Sequence, residues 1–239
     1  GYYCPMGQTT PTPSSFLCAA GRYGNAGETT SSCAGPCPAG RQCPTGTANG
    51  SPPGSPCWSL VTGAANYFCP LGTGTSVMTV QTGYFSTPEA KAINEREAES
   101  PCPIGYYCVS GLRYACPAGR FGNTERQTSS SCTGACEAGY FCPGNNPSSP
   151  VSGFLASTST SARQEACGRT TDPGTGQATA LTEWYCPAGA TSRTRVGAGF
   201  YTTPESAPAE LRTGVAACTS EFVCTGGVRR LKLEWSDTV

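Results

Sequence analysis

The chain has 239 residues, of which 17 are cysteine, and its 15 acidic and 15 basic side chains balance to a net charge of zero. Val, Ile, Leu and Phe together number only 29, which is too few to fill a conventional hydrophobic core at this length. The sequence contains no histidine, so a Ser-His-Asp triad, a Cys-His dyad and a histidine-containing zinc site are all excluded.

In chain order, each C-x-x-G-x-[YF] segment indicates a short strand that enters a turn, with glycine supplying the turn dihedrals. Residues 76–80 are rich in β-branched side chains and predict a strand. Thr87 and Pro88 have the form of a helix start, with threonine as the N-cap and proline at the first helical position. They predict one exposed helix over residues 88–99. A matching element begins at Thr203 and is shortened by a further proline.

The last predicted element is a strand at the carboxyl terminus, in which Leu231, Leu233 and Trp235 alternate with polar residues and would share one face. Two interpretations are open for this strand. It folds back onto its own chain as an edge strand, or it pairs with a neighbouring subunit by strand addition. No apolar run in the sequence is long enough to span a membrane.

The sequence repeats itself with a period of eight cysteines. The segment CAAGRYGNAGETTSSCAGPCPAGRQCP from Cys18 recurs as CPAGRFGNTERQTSSSCTGACEAGYFCP from Cys116, and the amino-terminal GYYC recurs at residues 105–108. Such self-similarity is typical of tandem arrays, in which each unit mainly contacts its neighbours. Cross-links restrict the unfolded chain where a core cannot, and they indicate an oxidising compartment.

These observations predict a small, disulfide-rich and mostly irregular β fold. We expect an elongated tandem array of two eight-cysteine modules, with short strands and at most one or two short helices. Residues 1–104 form the first predicted repeat and residues 105–220 the second. Residues 221–239 are predicted to hold the start of a third repeat and the amphipathic carboxyl-terminal strand.

The units C-x-x-G-x-[YF]-G…S-S-C-x-G-x-C-x-x-G-x-x-C-P resemble the ephrin-receptor-like cysteine-rich repeats, which are related in style to tumour-necrosis-factor-receptor modules. The longer cycle resembles the tandem arrays of large surface proteins of oomycetes, algae and other protists, and those of flagellar mastigoneme proteins. The resemblance covers residues 1–230. It implies extracellular, disulfide-bonded modules without enzymatic activity, and it supplies no ligand.

The resemblance also implies that the two cysteines flanking the C-x2-G-x-[YF] unit pair, as Cys18–Cys33 and Cys116–Cys132. Spacing alone does not fix the other bonds. In one set Cys102–Cys108 and Cys218–Cys224 close locally, and Cys4 is left with its expected partner before Gly1. The other pairs of that set alternate: Cys37–Cys57, Cys43–Cys69, Cys136–Cys167 and Cys142–Cys186. A competing set pairs Cys4–Cys18 and Cys108–Cys116 and leaves Cys224.

Asn49 opens the only N-x-[ST] sequon that lacks a central proline, so it is the predicted N-glycosylation site. Tracts rich in Ser, Thr and Pro are candidates for other covalent glycans. No residues suggest catalysis, a cofactor or a metal, because no C-x2-C pair is present for zinc and a reactive cysteine would lack a histidine base.

The repeat carries no recognisable capping element at either end, and an uncapped repeat exposes the surface that its next copy would cover. Head-to-tail contact of such ends gives an open filament. The sequence therefore predicts a secreted structural subunit of an extracellular filament or surface appendage, whose partners are non-covalently bound copies of itself. The alternative is a ligand-binding or adhesive ectodomain fragment of a long cysteine-rich surface receptor. The balanced charge gives no reason to expect nucleic acid.

Overall fold

The computed structural model describes residues 1–7, 14–49, 53–57, 65–144, 164–171 and 177–232. Within these ranges the chain forms 22 strands of two to four residues and three single-turn 3-10 helices. Each strand pairs with one other strand, which gives eleven two-stranded sheets and no larger sheet in the described ranges. The chain therefore has the disulfide-rich, mostly irregular β fold that the sequence predicts.

The strands, in chain order, are β1 (Arg22–Tyr23), β2 (Gly35–Pro36), β3 (Arg41–Gln42), β4 (Ser55–Pro56), β5 (Tyr67–Phe68), β6 (Met78–Thr79), β7 (Tyr84–Thr87), β8 (Ala98–Pro101), β9 (Tyr106–Val109), β10 (Leu112–Ala115), β11 (Arg120–Phe121), β12 (Gly134–Ala135), β13 (Tyr140–Phe141), β14 (Glu165–Ala166), β15 (Arg169–Thr171), β16 (Ala178–Ala180), β17 (Trp184–Tyr185), β18 (Thr194–Arg195), β19 (Phe200–Thr203), β20 (Gly214–Ala217), β21 (Phe222–Thr225) and β22 (Val228–Leu231). The 3-10 helices are η1 (Ser14–Phe16), η2 (Ile93–Glu95) and η3 (Ala209–Leu211). Each odd-numbered strand pairs with the strand that follows it.

Cysteine fills most of the interior. Of the eighteen buried hydrophobic residues in the described part of the chain, thirteen are cysteines. The other five are Ala65, Phe68, Val80, Phe85 and Phe121. Strands of two to four residues are too short to form long rows of apolar side chains. The disulfides therefore hold the chain in its folded conformation, as a packed hydrophobic core does in other proteins.

Eight disulfides each join one cysteine to the next cysteine along the chain. They are Cys18–Cys33, Cys37–Cys43, Cys57–Cys69, Cys102–Cys108, Cys116–Cys132, Cys136–Cys142, Cys167–Cys186 and Cys218–Cys224. Four predicted bonds are thereby confirmed: Cys18–Cys33, Cys116–Cys132, Cys102–Cys108 and Cys218–Cys224. These eight bonds use the sixteen cysteines that were predicted to pair, and Cys4 is the seventeenth.

The predicted alternating bonds are wrong. Cys37 and Cys136 do not bond to Cys57 and Cys167, and Cys43 and Cys142 do not bond to Cys69 and Cys186. The competing pairs Cys4–Cys18 and Cys108–Cys116 are also absent. The physical reason is a tight turn after the first cysteine of each C-x5-C segment. At Gly40, with φ of +80°, this turn brings Cys37 and Cys43 to a Cα–Cα distance of 5.7 Å, which is ideal for a local bond.

The predicted helix over residues 88–99 is wrong. Thr87 ends β7 and pairs with Ala98 of β8, so the segment between them is the connection of a hairpin and contains only the single turn η2. The backbone N–H of Glu97 donates to the Thr87 carbonyl oxygen at 2.7 Å and closes this connection. The matching element after Thr203 is built alike, with η3 between β19 and β20. Strand pairing has here outweighed a local helix-start signal.

The other predicted strands are found in part. The strand predicted at residues 76–80 is confirmed for Met78–Thr79, which pairs with Tyr67–Phe68. In the carboxyl-terminal strand, Leu231 is the last residue of β22 and pairs with Phe222 of β21. Leu233 and Trp235 lie outside the described residues, so the choice between an edge strand and strand addition stays open for them.

By its internal contacts the chain divides into two compact units. The first comprises Gly1–Cys102 and Cys108–Tyr114, and the second comprises Pro103–Tyr107 and Ala115–Val239. The eight-cysteine period is visible in the pairing of both units, because β1 and β2 recur as β11 and β12 and β7 and β8 recur as β19 and β20. The assignment of residues 221–239 to the start of a third repeat stays a prediction.

Candidate interaction surface

A glycine in the C-x2-G-x2-C loops makes the contact by which each loop packs against the next. The N–H of Gly40 donates to the Cys69 carbonyl oxygen at 2.7 Å, and that of Gly139 to the Cys186 carbonyl oxygen at 2.8 Å. Gly105 donates in the same way to the carbonyl oxygen of Gly122, also at 2.8 Å. We call this arrangement the glycine contact.

The glycine contact leaves no space for a side chain. A Cβ atom on Gly139 would lie 2.8 Å from the carbonyl oxygen of Leu211, and one on Gly40 would overlap the carbonyl oxygen of Glu95. The φ values of these glycines, +90° and +80°, also belong to the region that L side chains rarely adopt. Both space and backbone conformation therefore require glycine where one loop packs on the next.

A second recurrent contact fixes the hairpin that follows β8 or β20. The backbone N–H groups of Ser86 and its counterpart Thr202 donate to the carbonyl oxygens of Gly111 and Gly227, at 2.9 and 3.0 Å. The Ser86 hydroxyl donates to the same Gly111 oxygen at 3.2 Å, whereas the nearest acceptor of the Thr202 hydroxyl is the Thr182 carbonyl oxygen at 2.7 Å. Both hydroxyl residues are 1% exposed. A buried hydroxyl needs a partner because leaving it unbonded is costly, so these bonds fix the hairpins β9–β10 and β21–β22 to the strands before them.

Arginine side chains reinforce the same hairpins from outside. Arg113 lies over the Phe85 ring at 5.0 Å and forms an ion pair with Glu89 at 2.5 Å. Arg229 occupies the equivalent place, 4.9 Å from the Tyr201 ring and 2.7 Å from the Glu205 carboxylate. Each guanidinium thus combines a cation–π contact with an exposed ion pair.

An arginine lies beneath each of the β7–β8 and β19–β20 hairpins, and it is buried in the first and half-buried in the second. Arg96 is 6% exposed and donates to the Ser86 carbonyl oxygen at 3.0 Å, and Arg212 donates to that of Thr202 at 3.2 Å. Burial lowers the pKa of Arg96 from its ordinary value, and the nearby carboxylate of Glu89 acts in the opposite direction. Both arginine side chains donate hydrogen bonds to backbone carbonyl oxygens of their own hairpin.

The hairpins β9–β10 and β21–β22 have the same motif and different exposure. In the first, the disulfide Cys102–Cys108 is buried, with its cysteines 0% and 3% exposed. In the second, both Cys218 and Cys224 are only half-buried. Gly105 is buried, and its counterpart Glu221 is exposed. The described part of the chain thus leaves uncovered on the second hairpin a surface that is covered on the first.

Large apolar side chains are exposed on this uncovered hairpin and on the strand beside it. Leu231 is 68% exposed, Val223 46% and Phe200, at the start of β19, 44%. The counterpart of Leu231 is the smaller Ala115, which is half-buried, and the counterpart of Phe200 is the half-buried Tyr84. We call Phe200, Val223 and Leu231 together the apolar end patch; Leu231 pairs with Phe222 and Val223 with Arg230, so Leu231 and Val223 are exposed on opposite faces of the hairpin.

The other predicted site residues lie apart from this patch. Asn49 is exposed, and its backbone N–H donates to the Gly24 carbonyl oxygen at 2.9 Å, while the rest of its sequon lies outside the described residues. The backbone N–H of Cys4 donates to the carbonyl oxygen of Glu28 at 2.7 Å. The predicted sites are therefore not brought together into one centre.

Sequence reasoning did not identify the glycine contact. A usable signal was present, because the four C-x5-C segments have Gly40, Gly105, Gly139 and Glu221 at the same place.

A scan against protein-family models and a search of the curated proteins return no match. None of the helices in the described part of the chain is long and apolar enough to cross a membrane.

Proposed function

We propose that the chain is a structural subunit of an extracellular filament or surface appendage, that it associates head-to-tail with copies of itself, and that it is glycosylated. The observation that carries this proposal is the apolar end patch. Exposed apolar surface of this kind on a chain with few apolar residues favours contact with another protein. The partner to which we commit is a second copy of the same chain.

The amino-terminal segment of that second copy is the proposed occupant of the patch. It presents Tyr2, which is 36% exposed, and Met6, which is 92% exposed. No charged side chain lies within residues 1–7, so burial of Tyr2 and Met6 would remove no side-chain charge of this segment from water. Contact between two different surfaces of one chain is heterologous, and it extends into a filament where the rotation does not close a ring.

The disulfides support a non-covalent and extracellular assembly. All eight bonds lie within one chain. Their number is typical of an oxidising compartment. The exposed side chain of Asn49 is sterically open to modification, which is consistent with its proposed role as a glycan acceptor.

The test compares wild type with Leu231→Lys by sedimentation velocity over a range of concentrations and by negative-stain imaging. The matched control is Leu71→Lys, because Leu71 is 67% exposed and Leu231 is 68% exposed. Burial of a leucine contributes about 1.5–3 kcal/mol, so Leu231→Lys should weaken association roughly tenfold to a hundredfold.

The control variant should assemble as wild type does. Wild-type protein that stays monomeric at high concentration would refute the proposal, and so would equal behaviour of the two variants. Monomeric protein would favour the adhesive or ligand-binding ectodomain instead.

A further inference from the structure

We propose that Ser31 and Ser130 are attachment sites for O-linked sugars, each at the tip of a hydroxyl-rich turn that both compact units contain. The inference deepens the proposed function, because it rests on an extracellular, glycosylated chain and adds sites other than Asn49. We call residues 29–32 and 128–131 the hydroxyl turns.

Each hydroxyl turn is a run of four Ser or Thr residues directly before the second cysteine of a disulfide. The run TTSS precedes Cys33, and the run TSSS precedes Cys132. The Cys33 N–H donates to the carbonyl oxygen of residue 30 at 3.0 Å, and the Cys132 N–H donates to that of residue 129 at the same distance. Ser31 and Ser130 are therefore the first central residues of two equivalent β-turns.

Backbone contacts hold each hydroxyl turn in place from behind. The Arg22 side chain on β1 donates to the Ser32 carbonyl oxygen at 2.5 Å, and the Arg120 side chain on β11 donates to that of Ser131 at 3.0 Å. The cysteine that follows each turn has a positive φ, of +49° in the first unit and +50° in the second. The two turns thus have the same shape, and neither depends on the serine side chain at its tip.

The hydroxyl groups at the tips are exposed and unused by the fold. All eight residues of the hydroxyl turns are exposed. Thr30 and Ser32 share a hydrogen bond between their hydroxyls at 2.7 Å, whereas the hydroxyls of Ser31 and Ser130 bond to no group in the described part of the chain. A serine that stabilises a turn commonly bonds to the nearby backbone. These two hydroxyls are instead directed to chemistry from solvent.

A sugar is the modification that the compartment favours. The eight disulfides are typical of an oxidising environment, and hydroxyl-rich segments of extracellular proteins are typical acceptors of O-linked sugars. In the transfer, the serine Oγ bonds to the anomeric carbon of a nucleotide-activated sugar, and the bond from that carbon to the phosphate oxygen breaks. The nucleoside diphosphate leaves with the electron pair, and the hydroxyl proton passes to a base of the transferase.

An attached sugar would also restrict where two copies of the chain can meet. Because sugars on a protein surface are bulky and solubilising, they would exclude the tips of both hydroxyl turns from contact between copies. Contact through the apolar end patch would remain possible, because Phe200, Val223 and Leu231 belong to other strands.

The test is mass spectrometry of the full chain purified from the cells that make it, with fragmentation that leaves glycosidic bonds intact. Ser31→Ala and Ser130→Ala remove the proposed acceptors. The matched controls are Thr79→Ala and Thr194→Ala, which remove hydroxyl side chains that are likewise exposed but lie on the strands β6 and β18. The unfolding midpoint of each variant verifies that it is folded.

We expect hexose or pentose increments on Ser31 and Ser130 in the wild-type chain. Each serine variant should lose the increment from its own turn and keep it on the other turn. The Thr79→Ala and Thr194→Ala variants should keep both increments, because neither threonine lies in a hydroxyl turn.

The inference would be overturned if neither serine carried a sugar, or if Thr79 and Thr194 carried sugars as often as the two serines do. A phosphate increment on Ser31 or Ser130 in place of a sugar would overturn it as well. Sugar on Asn49 with none on the hydroxyl turns would reject this inference and leave the proposed glycosylation intact. The proposed assembly is judged separately, by the sedimentation of wild type and Leu231→Lys.

Discussion

Replacement of Cys37 and Cys43 together by alanine tests the corrected disulfide pattern most directly. If these two cysteines bond to each other, the double variant loses one bond that closes a sequence separation of six residues. The chain-entropy relation gives a loss of about 2.4 kcal/mol in the free energy of unfolding for such a loop. Had the alternating bonds been present, the same variant would lose two longer loops, at a cost of roughly 7 kcal/mol.

The assay combines denaturant unfolding with a count of reactive thiols in the unfolded, unreduced protein. We expect the variant with both Cys37→Ala and Cys43→Ala to stay folded and to show the same number of thiols as wild type. The control with Cys37→Ala and Cys57→Ala should release two thiols, one from each broken bond. The opposite thiol counts, with two released by the first variant and none by the control, would refute the local pairing.

Two further predictions concern a glycine contact and a half-buried carboxyl group. Gly139→Ala should destabilise the chain by about 1–3 kcal/mol in denaturant unfolding, because its Cβ would press on the Leu211 carbonyl oxygen. The control Gly189→Ala shares a positive φ, of +74°, but has nothing within 4 Å, so an equal loss in both would leave only backbone strain as the cause. Burial raises the pKa of Glu165 above its ordinary value of 4.5, while Arg193 acts in the opposite direction. The folded state then binds the proton more tightly than the unfolded chain, so wild-type stability should rise as the pH falls through the native pKa toward 4.5. Glu165→Gln should be more stable relative to wild type above that window and lose this gain within it, and identical pH profiles would contradict the raised pKa.

The fold class could be predicted because it follows from composition and period. A chain with 29 large apolar residues and 17 cysteines has few other ways to become ordered. The repeat then fixed which cysteines are equivalent, and the local bonds at Cys102–Cys108 and Cys218–Cys224 were found from spacing. Cys37–Cys43 and Cys136–Cys142 have the same C-x5-C spacing and the same local bond, so this one spacing replaces all four wrong bonds.

The helix over residues 88–99 failed for a different reason. Capping signals describe what a segment prefers in isolation, and they contribute about 1 kcal/mol. Pairing of β7 with β8 adds a four-residue ladder and anchors the buried guanidinium of Arg96. No single-sequence pattern showed that residues 84–87 and 98–101 would meet, because neither strand alternates clearly between apolar and polar side chains.

The candidate surface was only partly visible in the sequence. The amphipathic character of the carboxyl terminus pointed to Leu231, which the structure does expose. Phe200 and Val223 were not singled out, because their exposure depends on which neighbouring loop covers the hairpin.

Because every disulfide joins a cysteine to the next one along the chain, no two covalent loops cross or enclose each other. In an oxidising compartment, each loop can be closed as soon as its second cysteine emerges, without waiting for later sequence and without exchange between distant partners. The sequential pairing of the cysteines also determines how the chain would respond to a pulling force. Tension applied at the two ends would draw out the segments between loops while every disulfide remained closed, so the molecule behaves covalently as a string of small rings, and only its hydrogen bonds and packing resist extension.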